Sequence, residues 1–279
     1  MTILHGMRVF ESSAFVALPL AGMQLAQMGA EVIRFDNLGG GLDHLRRPLA
    51  PNGESLFWHG LNKGKKSFAV NLKTEKGREL VTDLITSDGD DAGLFITNLR
   101  VAGWTDYESL KRKRADLIMV TLKGDRHGGP EVDYTVNPSL GIPHITGAEG
   151  STEPVANALP AWDCVAGNMV VSSLLAAERD RLRTGRGQDV EFALKDAAAA
   201  VIGHLGMIGE ATIYDQQRGK SGNSVYGAYG QDFECACGGR VVVIGLTLRQ
   251  WRGLVKATDK GQEIKSLEKK LNLSLDDEG

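Results

Sequence analysis

The chain has 279 residues, 42% of them hydrophobic and 24% charged, with 35 glycines, which suits a globular protein with a large core and many tight turns. A formal net charge of −3 and a pI of about 6.1 exclude a global basic field for nucleic acid or an anionic membrane. The three cysteines, Cys164, Cys235 and Cys237, form neither an even disulfide framework nor a complete zinc site, so a reducing compartment and no metal are expected.

The amino terminus, MTILHGMRVFESS, lacks the regions of a secretion signal, and no run of about 18 apolar residues follows, so a cytoplasmic protein off the membrane is expected. Met7 to Phe10 reads as a buried strand, Ala17 to Met28 as a helix closed by Gly29, and Glu31 to Phe35 as a second strand. That βαβ unit predicts a parallel sheet with a right-handed crossover. The pattern continues with a strand over Ser67 to Asn71, a helix over Glu75 to Ser87, and strands over Leu94 to Thr97 and Leu117 to Leu122. Helical spacing returns from Ala161 to Arg183, a strand follows at Asp189 to Ala193, and Asp196 to Gly209 reads as one helix. Gln216 to Gly230 is polar and glycine-rich without periodicity. After it come a hairpin (Gly227 to Ala236 and Val241 to Ile244), helical patterns over Arg249 to Ala257 and Gly261 to Leu271, and the acidic end DDEG. The predicted fold is α/β: a Rossmann-like open parallel sheet in a large domain over 1–215, a linker over 216–230 and a small domain over 231–279.

No GxGxxG follows the first strand, so a nicotinamide site is disfavoured, and Asp36 reads as a loop carboxylate. Walker, HExxH and GxSxG motifs are missing too. Three loops carry cationic or amide side chains: Asn37 to Arg47 (NLGGGLDHLRR), Leu61 to Lys66 (LNKGKK) and Asn98 to Arg100 (NLR). Ligands of open α/β sheets lie beyond the carboxyl ends of strands, so the three together point to one phosphate-rich adenine cofactor. Taken singly, each also reads as a solvated surface loop.

In order and spacing, GMRVFE, LAGMQLAQMGAEVIRFD, GGGLDHLRR, LNKGKKSFAVNLKTEKGREL, NLR, LIMVTLKG, GGPEVDYTVNPSLGIPHITG, RTGRGQDVEFALKDAAAA and YGAYGQDFECACGGRVVVIGLT resemble the family III CoA-transferases over nearly the whole chain. The resemblance implies a large Rossmann-like domain, a small second domain and two chains threaded into an interlocked homodimer. It implies an acyl-CoA substrate and no metal, with coenzyme A held around Arg34, Arg46, Arg47, Asn62, Lys63, Lys65, Asn98 and Arg100. It puts the catalytic carboxylate on Asp133, eight residues before Gly141, with Gly147 following in ITG. A carboxylate suits this task, because attack on a thioester gives a mixed anhydride and free thiolate. Asp133 equally reads as a structural acid at a helix start, with Asn137 a turn later.

The resemblance further implies an oxyanion role for the glycine-flanked loop with Asn223, Tyr226 and Tyr229, which otherwise reads as a flexible linker. His127 and His144 are candidates for proton transfer, while Val132, where a racemase has histidine, argues against racemisation. Trp162 and Asp163 in LPAWD read as core and cap. VDYTVN, GIPHITG and LPAWD look most similar to the mesaconyl-CoA (2-methylfumaryl-CoA) isomerase branch, which shifts CoA between two carboxyls of one C4-chain diacid. Alternatives are an intermolecular CoA-transferase using another organic acid and an inactive CoA-binding homologue. The last is raised by a second domain that reads as incomplete, without the family's return segment.

Overall fold

The computed structural model describes residues 2–276, so the last three residues of the DDEG end lie outside the described part. In chain order the elements are β1 (Arg8–Ser12), α1 (Ala17–Gln27), β2 (Glu31–Asn37), α2 (Leu56–Leu61), β3 (Lys66–Val70), α3 (Glu75–Ile85), β4 (Leu94–Thr97), α4 (Tyr107–Lys111) and β5 (Ile118–Lys123). There follow α5 (Asp133–Ser139), α6 (Ile142–Ile145), α7 (Ala161–Thr184), β6 (Gln188–Ala193), α8 (Leu194–His204), α9 (Met207–Tyr214), β7 (Tyr229–Glu234), β8 (Arg240–Gly245), α10 (Leu248–Ala257) and α11 (Gly261–Leu271).

Strands β1 to β6 form one parallel sheet in the order β3-β2-β1-β4-β5-β6. This is a doubly wound sheet whose direction of winding reverses between β1 and β4, where a crevice opens beyond the strand ends. The central strands read as unbroken apolar runs because helices cover both faces: Leu94, Phe95, Ile96, Ile118, Met119 and Val120 are all fully buried. On one face Phe10, Phe35 and Phe95 pack with Val81 and Ile85 of α3 and Leu110 of α4. Helices α1 and α7 lie against each other, and at Gly167 a Cβ would stand 2.7 Å from the Ala17 carbonyl oxygen.

The helix expected over Asp196 to Gly209 is two helices, interrupted by Leu205 and by Gly206 at φ +78°. That backbone conformation suits glycine and ends a helix. The short helices α2, α4 and α6 were not anticipated, while α5 starts at Asp133, as its reading as a helix-start acid has it.

The chain forms two compact units. One runs to Leu140 and resumes over Ala158–Ile213; the other joins Gly141–Asn157 to the chain from Tyr214 onward. The second unit thus takes in a segment that the sequence reading gave to the large domain. It contains the antiparallel β7–β8 hairpin, as read from the turn CGGR. Among the described residues no single helix is long and apolar enough to cross a membrane, although the bent pair α8 and α9 together matches by length and composition.

Candidate active site

Helix α7 starts without a cap of its own, because its N-cap position is Pro160, whose side chain accepts no hydrogen bond. The orphan N–H groups of its first turn are met from another helix. Asp133, the first residue of α5, accepts with Oδ2 from the backbone N–H of Trp162 at 2.8 Å and of Asp163 at 3.1 Å. The Trp162 indole N–H donates to Asn137 Oδ1 at 2.9 Å, tying α5 to α7 a second time. Asp133 is 3% exposed. Burial raises its pKa from the ordinary aspartate value, and the two backbone hydrogen bonds offset part of that rise.

Asp163 lies in the first turn of α7, partly exposed, and among the described residues its carboxyl takes part in no hydrogen bond. Burial first, then the neighbouring Asp133 charge, push its pKa up to about 7, while Arg46 pulls the other way. The structure therefore sets two carboxyls side by side in different roles. Asp133, expected as the nucleophile, is a buried helix cap with one oxygen engaged, whereas Asp163, expected as core and cap, is the carboxyl with free oxygens.

The cationic loops divide in the same way. Arg34 is fully buried, holding Asp36 at 2.9 Å through Nε, Asp43 at 2.7 Å through Nη2 and Asn62 Oδ1 at 3.2 Å through Nη1. Lys65 donates to Glu11 at 2.7 Å, to Asn62 Oδ1 at 2.8 Å and to the Pro19 carbonyl at 2.9 Å, and its side chain is 2% exposed. Burial raises the pKa of Glu11 and lowers that of Lys65. Arg34, Asn62 and Lys65 are thus corrected from cofactor contacts to a polar core that fastens β1, β2 and their loops, since their polar groups are spent on one another. Asn98 clamps Ala14, accepting from its N–H and donating to its carbonyl, both at 3.0 Å, across the β1–β4 crevice.

Arg47 and Lys63 face solvent, and Arg100 is ion-paired with Glu191 but accessible. Arg46 lies between two rings, its guanidinium carbon 5.5 Å from the Phe15 centroid and 5.0 Å from that of Phe57. His127 and His144 are both exposed, and His144 belongs to the second unit. In that unit Asn223 lines a groove of about 500 Å³ with Thr146, Ser221 and Asp232. Tyr226 carries the Arg218 guanidinium 3.6 Å above its ring, and Tyr229 packs against Trp251 with ring centroids 5.1 Å apart and planes tilted by 47°. Among the described residues no group of three or more His, Cys, Asp or Glu is placed to hold a metal ion.

A model of CoA-transferase family III matches residues 4–274. The chain is 56% identical over 278 residues to the 2-methylfumaryl-CoA isomerase of Chloroflexus aurantiacus, covering 99% of this chain and 68% of that one. It is 34% identical over 222 residues to the succinate–glutarate CoA-transferase of Agrobacterium fabrum, covering 73% of this chain and 54% of that one. Among solved structures, a CAIB/BAIF family protein from Brucella suis superposes with a TM-score of 0.77 at 25% identity, over 95% of this chain and 71% of that one.

Proposed function

The chain belongs to CoA-transferase family III, and from that premise we propose that it exchanges CoA between the two carboxyls of 2-methylfumaryl-CoA (mesaconyl-CoA) through an acyl-aspartyl anhydride on Asp163. The observation that carries the assignment to Asp163 is its partly exposed carboxyl, free of hydrogen bonds among the described residues, on a helix end that Asp133 caps.

The ionised Asp163 carboxylate attacks the thioester carbonyl, the C–S bond breaks, and CoA leaves as thiolate. The thiolate then attacks the aspartyl carbonyl, giving an aspartyl thioester and the free diacid. The other carboxylate of the diacid displaces the thiolate in turn, forming a second anhydride, and the thiolate attacks its acyl carbon to release the regioisomer and Asp163. One thioester is consumed and one formed, with no water and no net proton. Asp133 acts by holding the α7 terminus, so that Asp163 meets the thioester at a fixed height.

Coenzyme A is the substrate's handle. Its phosphates suit Arg47, Lys63 and Arg100, the cations that remain accessible, and its pantetheine suits the crevice that Asn98 closes. The working form is a homodimer in the cytoplasm.

The test is to incubate the protein with one regioisomer of 2-methylfumaryl-CoA and follow both by chromatography. Equilibration without added acid supports the intramolecular reading. The 34% identical succinate–glutarate CoA-transferase favours a second reading, exchange with a separate acid. Turnover that appears only when a free dicarboxylate is added would establish that one.

A further inference from the structure

Several arginines that are at least partly buried sit on carboxylates: Arg34 on Asp36 and Asp43, Arg114 on Asp116, Arg181 on Glu178. Arg46 is different. Among the described residues its guanidinium makes no hydrogen bond and no ion pair, although it is partly buried between Phe15 and Phe57. The aromatic faces stabilise the cation and shed water from it, but they leave the in-plane N–H fork unused.

The position of that fork is built in. Phe15 adopts φ +70°, a left-handed conformation costly for a bulky side chain, and its N–H is held at 2.9 Å by Asp43 Oδ2. The preceding residue, Ala14, is clamped by Asn98. The Arg46 N–H donates to the Asp43 carbonyl at 3.1 Å, and Asp43 is fastened to the buried Arg34. One polar core therefore fixes both the cation and a ring that covers it. The same loop leads into α1 at Ala17, which packs on Gly167, one turn along α7 from Asp163.

We infer that Arg46 is the receptor for the free carboxylate of the acyl-CoA, so that the substrate class of this site is the monothioesters of dicarboxylic acids. A carboxylate meets the open fork with two parallel charge-assisted hydrogen bonds, while a neutral acyl chain of the same shape desolvates the guanidinium and gives nothing back. In the exchange, one carboxyl is joined to Asp163 while the other rests on Arg46, and the two then trade places. Arg47, exposed beside it, is left for coenzyme A.

This inference rests on the reading of Asp163 as the attacking carboxylate, so its test uses binding rather than turnover. Calorimetric titration in an Asp163→Asn background compares 2-methylfumaryl-CoA with tiglyl-CoA, in which a methyl replaces the free carboxylate. The expected preference for the diacid thioester is roughly 10- to 100-fold, collapsing to within about threefold in Arg46→Gln while tiglyl-CoA affinity stays unchanged, and partly kept in Arg46→Lys. Equal weakening of both ligands, or a preference that survives Arg46→Gln, overturns the assignment. Should Arg46→Gln fail to fold, Arg46→Lys decides, because losing the planar fork must lower the preference at least about threefold and no loss overturns the inference. Failure of the Asp163 reading would show separately, as label elsewhere in the trapping experiment described below.

Discussion

Asp133 caps the helix that carries Asp163: its Oδ2 lies 2.8 Å from the Trp162 nitrogen and 3.1 Å from that of Asp163 itself. The cap places one carboxyl beside another and so tunes its neighbour. Asp133 keeps two backbone donors as it ionises; Asp163 must ionise beside that charge in a half-dry setting.

A pH profile follows. Attack needs ionised Asp163, whose pKa is pushed up to about 7, so the rate of anhydride formation should rise with pH through an acidic limb near neutrality. Asp133→Asn keeps an acceptor for the helix end but deletes the charge, and the limb should move to lower pH. An unmoved limb would dissociate the two groups.

Hydroxylamine added during turnover should convert the attacked carboxyl to a hydroxamate. Trypsin leaves Asp133 and Asp163 on one peptide, since no Lys or Arg lies between Arg126 and Arg179, but cleavage after Glu149 separates them. Label belongs on the Asp163 fragment and should vanish in Asp163→Asn, with turnover down by several orders of magnitude. Label on the Asp133 fragment would return the nucleophile to the position that the family resemblance implies.

Asp163 should also cost stability above neutrality. Its folded pKa of about 7 lies above the roughly 3.9 of an unfolded chain, so the folded protein holds the proton more tightly. That contribution is complete below about pH 4 and is lost as pH rises through about 7. Thermal melts should therefore show Asp163→Asn more stable than the parent at pH 8.5, by a margin that shrinks at pH 5.

The cations should separate by substitution. Arg34→Met strands Asp36 and Asp43 as buried charges and should cost about 3–5 kcal/mol in denaturant unfolding. Lys63→Ala should leave the melt unchanged and weaken CoA binding roughly tenfold, as expected for a solvent-facing phosphate contact.

Much of the fold was legible because strand and helix periods differ. LFIT and LIMVTL are too apolar for anything but buried strands, and most boundaries moved by only one or two residues at caps. Helix α5 was legible only at its start, where Asp133 reads as an acid opening a helix; seven residues with Pro138 inside show no apolar stripe to mark its extent. The site was legible by class and mistaken in its members. Arg34 stands between Ile33 and Phe35 like any strand charge, and its partners Asp43 and Asn62 come from loops further along the chain. Asp133 and Asp163 both read as acids opening helices. Only the packing of α5 on α7 shows that one caps the other.

Helix α7 also reaches the amino-terminal ends of the sheet's strands. Near its carboxyl end Arg181 donates to the carbonyls of Ala92, at 2.7 Å, and Asp116, at 3.3 Å, just ahead of β4 and β5. Its 24 residues are therefore a strut of about 36 Å pinned at both ends. Inserting or deleting one residue between Asp163 and Arg181 would turn the carboxyl by about 100° and shift it by about 1.5 Å, while most single replacements on the outer face would do neither. Divergence among relatives is expected to take the form of substitutions along this helix and almost never of gaps, which makes its length a better marker of retained chemistry than its composition.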